Sequence, residues 1–357
     1  MPEGKMPFID FRSDTITWPT AKMRQAMANA DVGDDVYEED PTVIRLEKLS
    51  AGRMGKEAGL FVPSGTMGNL VSVLTHCGRG DEVILGDISH TFVYEAGGIS
   101  ALGGVFPHTL PNQPDGKLKL EDIRSAIRPD NVHFPKTRLV ILENTHNRCG
   151  GAVLDEDYTR QVADIAHQAG FPLHLDGARI FNASVVLGRP VRELTAKFDS
   201  VMVCLSKGLG APVGSLLVGS KEFIEEGRLV RKMLGGGMRQ AGVLAAAGLV
   251  ALEESPKRLH LDHENAKFLA RSLAEIPGIK IDPEKVVTNI LFFDVSATGL
   301  MAPEISRQLA GQGILANAFN PKLLRMVTHC DVDRQGCARA LNVLRSIMDG
   351  APMTYFV

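Results

Sequence analysis

Ser200-Val201-Met202-Val203-Cys204-Leu205-Ser206-Lys207-Gly208-Leu209-Gly210-Ala211-Pro212 is the stretch that decides how the rest of the chain is read. A short apolar run ends in a lysine, and glycines follow at once. A run of this kind, bounded by glycine and proline, reads as a strand buried on both faces. Further runs of the same character lie at Ala58–Val62, Glu82–Leu85, Arg138–Leu142, Leu173–Leu175 and Gly214–Val218. Helix-like patterns separate them, at Thr42–Gly55, Met67–His76, Leu120–Ile127 and Asp157–Gly170. Strand, helix, strand at this spacing predicts an α/β fold, with a parallel sheet covered by helices on both faces. Right-handed crossovers then place the strand C-termini, and any active site, on one edge.

The pattern changes after residue 258. Helices near Leu259–Ala274, Pro303–Gly311 and Gln335–Met348 surround short strands at Asn289–Val295 and Leu323–Val327, as in a smaller α+β domain. The helix Gln240–Glu254 leads into it. The expected division is therefore 1–258 for an N-terminal segment with a large domain, and 259–357 for a small C-terminal domain. A length of 357 residues agrees with two domains. Residues before Phe8 read as a frayed extension.

Composition narrows the classes. Apolar residues make up 44% and charged residues 23%, so the chain can bury a core and is not a disordered one. Net charge is −3, which offers no basic field for nucleic acid and no polybasic membrane footprint. The N-terminal residues MPEGKMPFIDFRSDT contain no apolar core of a secretion signal. The longest uncharged, mostly apolar run, Ala241 to Leu252, is too short to span a bilayer and reads as a buried helix. Five scattered cysteines without a CxxC give neither a disulfide framework nor a zinc cage, so a cytoplasmic location is expected. Glycine is in excess at 36 residues, which calls for tight turns or close backbone approach at particular places.

Three motifs carry chemistry. In Val62-Pro63-Ser64-Gly65-Thr66-Met67-Gly68-Asn69 a strand gives way to a Ser-Gly-Thr turn and a helix start. The free amides and dipole of that helix suit a phosphate, although a simple capped turn has the same look. In Leu173-His174-Leu175-Asp176-Gly177-Ala178-Arg179 a buried strand ends in an acid. Its partner can be Arg179, a metal or a protonated ring nitrogen; no second carboxylate or histidine cluster nearby argues for a metal. Lys207 is either a surface lysine at a loop tip or an amine held ready to attack a carbonyl. Together, a phosphate cradle, an acid and a later lysine at strand ends are what pyridoxal phosphate requires: lysine for the Schiff base, acid for the pyridinium nitrogen, helix N-terminus for the phosphate.

The chain resembles the L-threonine aldolases, within the fold-type-I pyridoxal-phosphate enzymes and the β-eliminating-lyase group. The segments that carry the resemblance are Phe11–Thr15, Val32–Pro41, Val62–Asn69, Glu143–Asn147, His174–Arg179, Cys204–Leu209, Gly235–Gln240 and Arg325–His329. They run from residue 9 to about residue 331, nearly the whole chain, in the family's order. The resemblance implies a mostly parallel seven-stranded sheet between helices plus the smaller domain. It also implies retro-aldol cleavage of L-threonine or L-allo-threonine to glycine and acetaldehyde, in a homotetramer whose sites are shared between subunits. A β-eliminating lyase or a serine hydroxymethyltransferase-like enzyme is the related alternative.

Roles follow residue by residue from the resemblance. Lys207 would hold the cofactor and Asp176 its ring nitrogen. Ser64, Gly65 and Thr66 would bind phosphate with Arg239 of a neighbouring subunit, Lys232 lying nearby. Ser13, Arg179 and Arg325 would hold the substrate carboxylate, with Arg179 also touching the cofactor. His90 would stack on the ring, His133 would lie near the substrate hydroxyl, and Tyr37 would approach across an interface. His90 and His133 are both candidate bases. No metal site is expected. The acidic run Asp34, Asp35, Glu38, Glu39 and Asp40 is expected to be a solvated loop, and Gly235–Gly237 either a hinge or a backbone nest near an anion.

Overall fold

The structure, a computed structural model, describes residues 8–350. The extension before Phe8 lies outside the described residues. The strands are β1 (Ile9–Asp10), β2 (Ala58–Val62), β3 (Glu82–Gly86), β4 (Phe106–Leu110), β5 (Thr137–Glu143), β6 (Leu173–Asp176), β7 (Ser200–Cys204), β8 (Ser215–Gly219), β9 (Ile290–Asp294), β10 (Ile314–Leu315), β11 (Asn317–Ala318) and β12 (Leu323–Val327).

Seven of them form one sheet in the order β2-β8-β7-β6-β5-β3-β4. The pairs β3–β4, β3–β5, β5–β6 and β6–β7 are parallel, and β8 is antiparallel to both β7 and β2. The mostly parallel seven-stranded sheet is thus present. The reversal at β8 has a simple cause: the chain turns back from β7 through Leu205–Gly214 without a crossover helix, so β8 cannot run parallel to β7. Strands β2, β3, β5, β6 and β7 all point their C-termini to one edge. Strand β4 is absent from the sequence expectations because FPHTL carries Pro107 and a half-exposed face; it lies at the sheet edge, where a proline is tolerated.

Local chemistry explains the helices that frame this edge. Ser64, Asp155, Ser220 and Asp333 cap the helices Gly65–His76, Glu156–Gln168, Lys221–Met233 and Arg334–Met348 through their side-chain oxygens, each worth about 1 kcal/mol. The helix Gly242–Glu254 is apolar on nearly all sides and largely buried, as its uncharged run predicts. Among the described residues no helix is long and apolar enough to cross a membrane.

A second hydrophobic core gathers the helices Leu259–Ala274, Ala302–Gly311 and Arg334–Met348 against the antiparallel sheet β11-β12-β9. The N-terminal segment belongs with it: β1 pairs with β10 and Phe11 is fully buried in that core. Residues 12–17 therefore cross from the second core to the edge of the large sheet.

Candidate active site

Strands β2, β3, β5, β6 and β7 each deliver a polar group to this edge. Asp176 closes β6 beside Glu143, its register partner on β5. His90 follows β3 and donates its backbone N–H to Glu143 Oε2 at 2.7 Å. Lys207 follows β7; among the described residues its amine makes no hydrogen bond or ion pair, and its charge acts on Asp14 and His90. Ser64 follows β2, and its Oγ accepts from Met67 N at 3.1 Å, which caps the helix Gly65–His76. Among the described residues the Gly65 and Thr66 N–H groups have no protein acceptor, so this helix start presents two free amides. Gly65 is required by close approach, since a Cβ there would sit 2.7 Å from Cys204 Sγ on β7.

Asp176 does not pair with Arg179. Its Oδ2 accepts from Asn69 Nδ2 at 2.9 Å and its Oδ1 from Ala178 N at 3.2 Å. Asn69 Nδ2 also donates to Glu95 Oε1 at 2.8 Å, and Glu95 Oε1 lies 2.9 Å from His90 Nδ1. The sequence reading found no second carboxylate near Asp176. Glu95 is one, and ligand atoms of His90, Glu95 and Asp176 all lie within 4.8 Å of one another. Burial disfavours the charged ring of His90, but the bond to Glu95 and the charge of Asp176 outweigh it and hold its pKa above the ordinary value. Burial raises the pKa of Glu95.

Arg179 is fully buried and forks onto Asp14, Nε to Oδ2 at 2.7 Å and Nη2 to Oδ1 at 2.6 Å. Asn289 Nδ2 adds a third bond to Asp14 Oδ2 at 3.1 Å. Burial works against the ionised Asp14 carboxyl, but Arg179 more than compensates and holds its pKa far below the usual range. Two of the Arg179 donors are thus committed to Asp14, and its remaining N–H groups are the ones left for another partner. Arg325, on β12, has no acid partner among the described residues. It donates through Nη2 to Asn147 Oδ1 at 2.8 Å and through Nη1 to the Arg12 carbonyl at 3.1 Å. Burial and the neighbouring charge of Arg179 lower its pKa to about 10, the signature of a cation that lacks a counter-charge. Ser13 follows Arg12 in sequence, its Oγ accepting from Thr15 N and Thr15 Oγ1.

A buried carboxylate, a lysine without an ion pair among the described residues and a helix start with unbonded amides thus gather at one sheet edge, an arrangement that suits a cofactor. The sequence matches the family described as beta-eliminating lyase over residues 10–297. The chain belongs to the beta-eliminating lyase family. It is 51% identical over 347 residues to low-specificity L-threonine aldolase 1 of Arabidopsis thaliana, covering 96% of this chain and 97% of that one. It is 45% identical over 330 residues to the low specificity L-threonine aldolase of Escherichia coli strain K12, covering 92% and 96%. A solved Leishmania major threonine aldolase superposes with a TM-score of 0.80 at 21% identity, over 95% of this chain and 99% of that one, which shows the shared fold.

The other groups singled out in this beta-eliminating lyase family member are placed as follows in the fold. His133 is exposed on the loop before β5, at the opposite end of a strand of seven residues, each rising about 3.3 Å. Its neighbour Phe134 lies under Arg128, which pairs with Glu82 at the start of β3. Within one chain His133 is therefore not near the candidate site, and only a neighbouring copy could bring it there. Tyr37 is 72% exposed. Arg239 is exposed and pairs with Asp34 at 2.9 Å. The Gly235–Gly237 turn presses on the start of the helix Gly65–His76, where a Cβ on Gly236 would lie 2.2 Å from Met67 Sδ, and Lys232 flanks it.

The acidic run is not a solvated loop throughout. Asp35 is buried against Arg231 at 2.8 Å, and Asp40 is buried as the cap of the helix Pro41–Met54, also accepting from Gly242 N. Only Glu38 and Glu39 of that run are exposed. Sequence reasoning gave no role to Asp14, Asn69, Glu95, Asn147 or Asn289. Asp14, Asn69 and Asn147 lie inside segments that carry the resemblance, which is the available signal.

Proposed function

We propose that this chain is a pyridoxal-phosphate-dependent aldolase that cleaves L-threonine and L-allo-threonine to glycine and acetaldehyde. The observation that carries this reading is the 51% identity to the Arabidopsis low-specificity L-threonine aldolase 1 across nearly the whole of both chains. The residues fit the cofactor: two amides at the start of the helix Gly65–His76 for its phosphate, a buried carboxylate at Asp176 for its ring nitrogen, and an amine at Lys207, without an ion pair among the described residues, for its carbonyl carbon. Bound there, pyridoxal phosphate supplies a conjugated ring that takes up the electron pair of a bond broken at Cα.

The chain's own groups do the rest. Lys207 would hold the cofactor. Arg325, short of a counter-charge, would take the substrate carboxylate with Ser13 and a remaining N–H of Arg179. That grip would fix the orientation of the bonds at Cα and so select which one breaks. His90 would lie beside the ring, and its Nδ1 faces Glu95 Oε1, which leaves Nε2 to accept the β-hydroxyl proton. Asp176 would pair with the ring nitrogen. His133, Tyr37, Lys232 and Arg239 act only across a subunit boundary in this reading.

We assign the assembly as a homotetramer with shared sites, supported by the exposed large side chains of Tyr37, Leu229 and Met233. A cytoplasmic location is supported by five free cysteines. The proposed boundary at residue 258 is supported by the separate second core.

Arg325→Leu should raise KM for threonine by about 10- to 100-fold, the loss of one charge-assisted bond to a carboxylate, while cofactor stays bound. Loss of cofactor instead would place Arg325 on the phosphate. The functional reading itself is tested by giving cofactor-loaded protein each threonine isomer without folate. Equal amounts of glycine and acetaldehyde are expected; ammonia with a keto acid, or a need for folate, would mean a β-eliminating lyase or a serine hydroxymethyltransferase-like enzyme.

A further inference from the structure

Behind Asp176 lies a buried polar chain to which no role is assigned. His76 Nε2 lies 2.9 Å from Ser200 Oγ, and Ser200 Oγ and Ser72 Oγ lie 2.8 and 2.9 Å from His174 Nδ1. His174 Nε2 lies 3.2 Å from Asn69 Oδ1, and Asn69 Nδ2 reaches both Asp176 Oδ2 and Glu95 Oε1. Asn69, Ser72, His174 and Ser200 are all buried. One assignment of hydrogens gives every group a partner. An Asn69 turned the other way would set its carbonyl oxygen against two carboxylates, so its amide nitrogen must face them. Asn69 Oδ1 then requires the His174 proton on Nε2, and His174 Nδ1 accepts from the serine hydroxyls.

Burial lowers the pKa of His174 to about 3 and that of His76 to about 4, so both rings are neutral at working pH. The chain is therefore an orientation device and not a proton path. Each donor in it points toward the two carboxylates, and aligned bonds of this kind reinforce one another in a low-dielectric interior.

We propose that Asn69, locked by His174, Ser72 and Ser200, is the positioning residue that aims the Asp176 and Glu95 carboxylates at the ring nitrogen and at His90. This rests on the functional reading above. The titratable groups facing the cluster are His90 and Glu95 after β3, Glu143 on β5, His174 on β6 and Lys207 after β7; none of them replaces the two N–H bonds that Asn69 supplies.

The test uses the cofactor-loaded enzyme and four variants: Asn69→Ala, Asn69→Asp, His174→Gln and His174→Leu. Asn69→Ala and Asn69→Asp should lower kcat at least about tenfold with KM within about threefold, and raise the equilibrium constant for release of pyridoxal phosphate at least about tenfold. His174→Gln keeps a donor toward Asn69 and should stay near wild type, whereas His174→Leu should resemble Asn69→Ala. A lower Tm in the Asn69 variants with kcat and cofactor release unchanged would overturn the proposal. If the Asn69 variants do not fold, the His174 pair decides: equal behaviour of Gln and Leu overturns it. Wild-type enzyme that fails to form glycine and acetaldehyde sinks the functional reading instead.

Discussion

Lys207→Ala should lower threonine cleavage by at least about a thousandfold and abolish the coloured band of covalently held cofactor. The expectation rests on position. β7 carries Lys207 to the sheet edge where Asp176, His90 and the start of the helix Gly65–His76 meet, and among the described residues the amine has no acid partner to hold it elsewhere. No other lysine follows a strand of the large sheet at that edge so closely. Lys207→Arg should be as inactive, because a guanidinium keeps the charge but is not a nucleophile near neutral pH. Activity within tenfold of wild type in either variant would contradict the assignment.

Asp14→Asn should cost about 3–5 kcal/mol of stability, because it leaves the fully buried Arg179 guanidinium without its carboxylate. The loss is read from urea or thermal unfolding of the apo and loaded protein. A change below about 1 kcal/mol would mean that the pair is solvated and weak. The pH dependence has a fixed sign. Arg179 depresses the folded pKa of Asp14, so the stabilisation is fully present above the unfolded value of about 3.9 and is lost as pH falls through the lower folded value. The gap between wild type and Asp14→Asn should therefore be constant near neutrality and close only in strong acid. Because Asp14 lies on the segment that crosses between the two cores, the variant should also loosen the seating of Ser13 and raise KM.

Local signals made much of the fold legible. The helix Leu259–Ala274 and strand β12 were readable to the residue, since apolar periodicity and flanking breakers set them. The positions of Asp176 and Lys207 at strand ends were readable for the same reason. The reversal at β8 was not, because an apolar run has no direction until its connection is known. Strand β4 was hidden by Pro107. The polar framework of the site was also hidden, for a different reason. Asp14 meets Arg179 across 165 residues, and Asn69 meets Asp176 across 107. Nothing local to those residues distinguishes them from a turn acid or a helix-face amide. Asp35 and Asp40 misled in the opposite direction: an acidic run reads as solvated until Arg231 and a helix start are folded against it.

The central claim is that the groups at this edge hold pyridoxal phosphate through Lys207. Reduction of the loaded protein with borohydride, followed by digestion and mass spectrometry, tests it most directly. The account predicts one pyridoxyl group per chain, on the peptide that contains Lys207. Label on any other lysine, or no label in protein that still cleaves threonine, would contradict it.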